Sequence, residues 1–179
     1  MGDLTELLKV DMKIAFNFFH SAISERLEHL PREIRPSTNI MGPEIKYISS
    51  ILAHYSLTSS NDPNSLLLSS PIQIFDTFIV DPTLQSDPGS DPELMETAGS
   101  LVLLHAGYFR EQFPRRYNMG FYDGLGQQFF LKASHGYGVA KENKSLLLQK
   151  VSENLPFWNR VCSLTARDQK DSRFILRLQ

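Results

Sequence analysis

A wide apolar face over residues 92–113 is the feature that most constrains how this chain folds. Apolar side chains recur there at intervals of three and four residues, in two adjacent stripes. The stripes are Leu94, Ala98, Leu101, His105, Tyr108, Gln112 and Met95, Gly99, Val102, Ala106, Phe109, Phe113. This spacing predicts an α-helix, and so wide a face is typical of a helix surrounded by others. Asp91 as N-cap, Pro92 at the first helical position and Pro114 beyond the end predict its limits.

The same periodicity predicts further helices before and after this central helix. Apolar residues between Leu8 and Leu30 predict a long first helix over about 3–29, which ends before Pro31. Residues 43–56 repeat the pattern, with Pro43 at a first helical position. Another helix is predicted over about 120–135, closed by the glycines of HGYG.

The C-terminal part of the chain predicts one more helix, from Asn143 or Ser145 to about Cys162, with a kink or restart at Pro156. Residues 66–80 fit either a strand or a helix, and the helix is favoured because Leu68, Ile72, Phe75 and Ile79 fit helical spacing. The tail RFILRL suits a short strand or an arm. The sequence therefore predicts an all-α single domain over residues 1–179, a bundle of about six helices.

Charge is distributed unevenly along the chain, although the net charge is only −2. Residues 1–100 carry 6 Lys and Arg against 14 Asp and Glu, whereas residues 101–179 carry 12 against 6. Either the second half binds an anion, or the two halves neutralise each other in the fold or across a dimer. Nucleic-acid-binding proteins are typically basic overall, so the composition argues against a nucleic-acid partner.

Compartment and membrane association are constrained by simpler features. No apolar run approaches the roughly 18 residues that span a bilayer, so no membrane partner is predicted. The first residues, MGDLTELLKVDMK, have acidic residues where a signal peptide has basic ones. The single cysteine, Cys162, cannot form an internal disulfide, and its apolar stripe predicts a buried side chain. We expect a cytoplasmic protein.

Residues 105–130 concentrate aromatic, arginine and glycine residues around Pro114. Architecture explains most of this composition: the proline breaks the helix, glycines let two helices approach, and aromatic rings fill the corner. The polar residues at the rim of that corner are the candidate ligand-binding residues. They are His105, Tyr108, Glu111, Arg115, Arg116 and Tyr122.

Each candidate also has a purely structural interpretation. His105 is either a core histidine bonded to a carbonyl or tyrosine, or a proton carrier. Glu111 is spaced to pair with Arg115 on one helix face. Arg115, Arg116 and Tyr122 either bind a phosphate or carboxylate, or form a solvated turn in which guanidinium groups stack on tyrosines.

Several classes of catalytic site are not indicated by the sequence. Residues 120–126, GFYDGLG, lack the spacing of the dinucleotide-binding fingerprint, and no phosphate-binding loop or nucleophile elbow is present. The Glu-x-x-His pairs of di-iron bundles are absent and the five histidines are scattered, so we predict no metal site and no cofactor.

Two segments, PEIKYISSILAHY and ETAGSLVLLHAGYFREQFPRRYNMGFYDGLGQQFF, together resemble a family of uncharacterised bacterial proteins. The matching positions are Gly107, Tyr108, Phe109, Glu111, Arg115, Tyr122, Gly126 and Phe130. Ala98-Gly99-Ser100 departs from the Gly-Asp pair of the family. The resemblance covers roughly half the chain, and it implies a bacterial, helical, soluble protein without implying a reaction.

Three functions follow as hypotheses. The first is a non-enzymatic helical module that binds a protein partner or forms a homodimer, which predicts an exposed apolar patch. The second is a domain, sensory or enzymatic, that binds a small molecule or anion in a pocket beside the central helix, lined by His105, Tyr108 and Tyr122. The third is a bacterial effector or regulator that acts on another macromolecule. Its only support is the uneven distribution of charge along the chain.

Overall fold

The computed structural model describes residues 4–36, 42–58, 91–112 and 118–168. Of these residues 93% are helical and none lies in a strand, which confirms the predicted all-α class. The predictions for 66–80 and for the tail RFILRL lie outside the described residues.

The first half of the described chain contains two long helices. Helix α1 spans Leu4–His29, a short 3-10 turn spans Arg32–Ile34, and α2 spans Gly42–Thr58. These bounds agree with the predicted 3–29 and 43–56 to within two residues. Apolar periodicity and the flanking prolines were therefore sufficient to place both helices.

The central helix, α3, spans Pro92–Val102 and begins as predicted. The Asp91 carboxylate accepts hydrogen bonds from the backbone N–H groups of Glu93 and Leu94, and Pro92 occupies the first turn. The predicted single helix over 92–113 is α-helical only as far as Val102. Leu103–Tyr108 forms a π-helical turn, and Arg110–Gln112 forms a 3-10 turn.

Three helices complete the described fold. Helix α4 spans Met119–Tyr137 and ends at Gly138, whose φ of 46° is accessible to glycine with little strain. After a 3-10 turn at Gly138–Lys141, α5 spans Glu142–Glu153 and α6 spans Leu155–Asp168. The predicted kink at Pro156 is thus a break at Asn154, which leaves the proline in the first turn of α6, where its missing N–H costs no hydrogen bond.

The core is one continuous cluster of buried apolar side chains around α3 and its π-helical turn. The most extensive helix contacts are between α3 and α4, between α4 and α5, and between α1 and α2, while the π-helical turn packs against α6. Every residue from Ala98 to Phe109 is buried. The wide apolar face of the sequence therefore corresponds to a helix with neighbours on most of its sides.

At three glycines, the absence of a side chain lets a neighbouring helix approach closely. A Cβ added at Gly99 would lie 3.0 Å from the Phe130 ring of α4. One added at Gly126 would lie 2.5 Å from Leu155 Cδ2, and one at Gly107 would lie 3.1 Å from the backbone of Asn159. A Cβ at Gly99 or Gly107 would require its neighbour to move by a few tenths of an ångström, and one at Gly126 would require the Leu155 side chain to move.

We expect Gly99→Leu to destabilise the protein by about 1–3 kcal/mol, because the added carbons must displace the Phe130 ring in a filled core. Helix propensity acts in the opposite direction, since leucine is better than glycine by up to about 1 kcal/mol. Urea denaturation of the wild type and the variant measures the difference.

Gly124→Leu is the matched control, because a Cβ at Gly124 in α4 meets no atom within 4 Å. That variant gains helix propensity without overpacking, so its midpoint should equal or exceed that of the wild type. A Gly99→Leu midpoint above the wild-type value would contradict the close α3–α4 contact.

Candidate functional site

The structure places three of the predicted rim residues in the core. His105, on the π-helical turn, is 1% exposed, and Tyr108 and Tyr122 are also buried. The Tyr108 ring packs edge-on against Phe19, with centroids 6.0 Å apart, and the Tyr122 ring packs similarly against Phe121. Neither of the two cavities described below is lined by His105, Tyr108 or Tyr122.

Glu111 contacts a different arginine from the one that its spacing suggested. Both Nε and Nη2 of Arg167, at the end of α6, donate to Glu111 Oε1, at 2.8 and 2.6 Å. Arg115 and Arg116 lie outside the described residues, and with them the predicted Glu111–Arg115 pair. The rim site as a whole therefore stays a prediction.

One cavity, of about 420 Å³, lies between the C-terminal ends of α1 and α6. Its lining residues are Ala22, Glu25, Arg26, His29, Thr165 and Asp168. Arg26 forms an ion pair with Asp168, and His29 Nδ1 is hydrogen-bonded to the Glu25 carbonyl. Both members of this ion pair are lining residues, so a charged ligand would compete directly with the Arg26–Asp168 pair, which makes this cavity the weaker candidate.

The second cavity, of about 300 Å³, is a cleft between α2 and the central helix α3. We call it the α2–α3 cleft. Its lining residues are Tyr47, Ser50, Ile51, His54, Tyr55, Glu96, Thr97 and Ser100. Two tyrosines and a histidine give it aromatic walls, and the His54 and Tyr55 rings pack edge-on with centroids 5.2 Å apart.

Among the described residues, Glu96 is the one carboxylate that lines this cleft, and three donors from three helices hold it. The Tyr47 hydroxyl of α2 donates to Oε1 at 3.0 Å, and the Tyr137 hydroxyl of α4 donates to Oε2 at 2.7 Å. Lys144 Nζ of α5 lies 2.7 Å from the same Oε2. The Glu96 side chain is only 16% exposed, so its orientation is fixed by these partners rather than by solvent.

The pKa values of the three groups that contact Glu96 are all raised by this arrangement. Burial first, and then the charge of Glu96, raise the pKa of Tyr47 well above its ordinary value. Burial and the hydrogen bond to Glu96 also raise the pKa of Tyr137. Burial lowers the pKa of Lys144, but its interactions with Glu96 and Tyr137 outweigh that effect, and the pKa is raised. Both phenols and the ammonium therefore keep their protons at neutral pH.

Sequence reasoning missed this site. Glu96 stands one position from the buried Met95 and reads as an ordinary polar residue of an amphipathic helix. Its tyrosine partners lie 49 and 41 residues away, so no local spacing connects them. The available signal was a carboxylate beside a face wide enough to place α3 at the centre of a bundle, where a charge needs partners.

Cys162 is buried as predicted, and burial raises the pKa of its thiol to about 12. Within the described ranges, no group of three or more His, Cys, Asp or Glu side chains is placed to hold a metal ion. None of the described helices has the length and apolar character needed to cross a membrane. Comparisons with protein-family models, with curated proteins and with solved structures give no match. The resemblance to a bacterial family stays a prediction.

The buried His105 makes stability depend on pH. Burial lowers the pKa of His105 from 6.5 to about 4. Between pH 6.5 and 4, His105 is therefore protonated in the unfolded chain but neutral in the folded protein. The free energy of unfolding falls as the pH falls through this range. We expect a loss of about 3 kcal/mol over this range from His105.

Urea denaturation across this pH range measures the effect. His105→Leu should flatten the dependence, whereas His135→Gln, which removes an exposed histidine of α4, should leave it as in the wild type. If His105→Leu loses stability with falling pH as steeply as the wild type, the assignment of the effect to His105 is wrong.

Proposed function

We propose that this chain is a binding module whose small-molecule ligand occupies the α2–α3 cleft. The proposal rests on one observation: Glu96, at 16% exposure, is held by donors from three helices and lines a cavity of about 300 Å³. It is the sequence hypothesis of a pocket beside the central helix, with a different set of lining residues.

The arrangement supports ligand binding because it combines features that recur in small-molecule sites. Such sites are concave, have apolar and aromatic walls, and contain a few polar groups in fixed positions. Tyr47, Tyr55 and Ile51 supply the walls, and Glu96 supplies the fixed polar group. A carboxylate that is already oriented loses little conformational entropy when it binds a ligand.

The test is to fill the cleft with a side chain. Ser50 lines the cleft and is itself exposed, so Ser50→Trp should block the cleft without disturbing the core. The probes are three molecules of similar size: phenethylamine, 2-phenylethanol and phenylacetate. We expect at least one to bind in saturation-transfer NMR, and Ser50→Trp to weaken that binding by at least about tenfold.

Ser21→Trp is the control, since it places the same ring on an exposed position of α1 and should not change binding. The proposal is wrong if none of the three probes binds, or if the two tryptophan variants bind them equally. Circular dichroism of both variants verifies that each remains folded.

A homodimer is the second candidate, and it continues the interaction hypothesis. Its support is two exposed apolar side chains at the start of the α5 region: Val139 is 93% exposed and Leu146 is 51% exposed. It ranks below ligand binding because single exposed apolar residues are common on monomers.

Sedimentation velocity tests the homodimer. If these residues form the interface, the wild type sediments as a dimer and the double variant Val139→Lys/Leu146→Lys sediments as a monomer. The same double substitution leaves the α2–α3 cleft intact, so it should not change probe binding. A monomeric wild type would exclude this candidate.

A further inference from the structure

We propose that the group recognised in the α2–α3 cleft is an ammonium, carried by an organic cation with an apolar body. This inference rests on the proposed binding function and specifies its ligand class. It follows from which hydrogen-bonding positions of the lining side chains are already occupied and which remain.

The serine and threonine hydroxyl groups of the cleft donate their protons within their own helices. Ser50 donates to the Tyr47 carbonyl at 2.7 Å, Thr97 donates to the Glu93 carbonyl at 2.9 Å, and Ser100 donates to the Glu96 carbonyl at 2.9 Å. A hydroxyl has one proton and two lone pairs. Once the proton is used, these groups offer a ligand acceptor positions only.

Tyr47 follows the same rule. Its hydroxyl proton is donated to Glu96 Oε1, and its raised pKa keeps that proton in place at neutral pH. The Tyr47 oxygen is also hydrogen-bonded to Ser100, so it offers a ligand one lone pair rather than a donor. With Glu96, five of the lining side chains present acceptors, so the part of a ligand that reaches them must bring N–H or O–H donors.

The two oxygens of Glu96 differ in how far they are occupied. Oε2 accepts from Tyr137 and contacts Lys144, so both of its lone pairs are used. Oε1, among the residues that the structure describes, accepts only from Tyr47. One acceptor position therefore remains on Oε1, the oxygen that accepts a hydrogen bond from Tyr47, which lines the cleft.

An ammonium satisfies these positions better than a neutral donor. Its N–H groups form charge-assisted hydrogen bonds to a carboxylate, which are roughly twice as strong as neutral ones. The rings of Tyr47 and Tyr55 add cation–π attraction and apolar contact for the body of the ligand. An anion placed against Glu96 would meet a carboxylate and these acceptors, and would be repelled.

Lys144 gives the inference a sharp test, because it is the cation that already pairs with Glu96. The Lys144 ammonium reduces the negative potential that a bound amine would feel. Removing that charge should strengthen amine binding and leave the binding of a neutral molecule unchanged. Removing the charge of Glu96 should have the opposite effect on the amine.

The experiment measures dissociation constants by titration calorimetry for phenethylamine, 2-phenylethanol and phenylacetate. We expect phenethylamine to bind at least about tenfold more tightly than 2-phenylethanol, and phenylacetate to bind least. Lys144→Met should tighten phenethylamine binding several-fold, and Glu96→Gln should weaken it at least about tenfold. Lys144→Met should bind 2-phenylethanol as the wild type does, and Glu96→Gln should weaken the binding of 2-phenylethanol less than that of phenethylamine.

Lys141→Met is the matched control. Lys141 also lies over the Tyr137 ring, at 4.8 Å, but it pairs with Glu93 at 3.7 Å rather than with Glu96. It should leave phenethylamine binding unchanged. If Glu96→Gln fails to fold, Lys144→Met against Lys141→Met still decides the question, since neither substitution removes the carboxylate.

The outcomes separate this inference from the function on which it rests. If 2-phenylethanol or phenylacetate binds as tightly as phenethylamine, and Ser50→Trp abolishes that binding, the cleft is a ligand site but the ammonium assignment is wrong. If no probe binds, both proposals are wrong. Nα-acetyl-lysine amide serves as a further probe: binding tighter than that of phenethylamine supports the ammonium and indicates a protein side chain as its source.

Discussion

A single carboxylate that is only 16% exposed connects most of the bundle. Glu96 of α3 accepts hydrogen bonds from Tyr47 of α2 and Tyr137 of α4, and pairs with Lys144 of α5. Taking a carboxylate out of water costs several kcal/mol unless its lone pairs are occupied. The helices that provide the donors are therefore held in one arrangement about α3. In that arrangement Glu96 Oε1 accepts from Tyr47, which lines the cleft.

The other side of the central helix depends on close packing rather than on charge. The π-helical turn at Leu103–Tyr108 brings Gly107 against α6, where a Cβ would lie 3.0 Å from Asn159 Oδ1. Asn159 Nδ2 in turn donates to Asp123 Oδ1 of α4 at 2.6 Å. Extra residues in a π-helical turn are frequent at functional positions. Here the turn places His105 in the core, where burial keeps it neutral.

The sequence predicted helices well where periodicity and local capping decide them. The Asp91–Pro92 start of α3 and the Gly138 end of α4 were readable because the signals lie within one turn of the helix end. The π-helical turn was not, because apolar residues three and four apart suit an α-helix and a π-helical insertion equally well. The break before Pro156 was predicted in kind, and the structure placed it at Asn154.

The candidate site was much less predictable than the fold. Aromatic density around Pro114 suggested a rim, yet Tyr108 and Tyr122 are core residues, each 5% exposed, because burying a large aromatic ring removes much apolar area from water. The Glu111–Arg167 pair and the Glu96 cluster both join residues far apart in the chain. Such pairs are determined by how helices pack, which a single sequence does not encode in any local spacing.

The most direct test of this account is a crystal structure of the protein with bound phenethylamine. We expect difference density for the ligand in the α2–α3 cleft, with its nitrogen within hydrogen-bonding distance of Glu96 Oε1 and its ring against Tyr47 or Tyr55. Density at any other place, or a ligand in the cleft whose nitrogen points away from Glu96, would contradict the claim that this carboxylate is the recognition group.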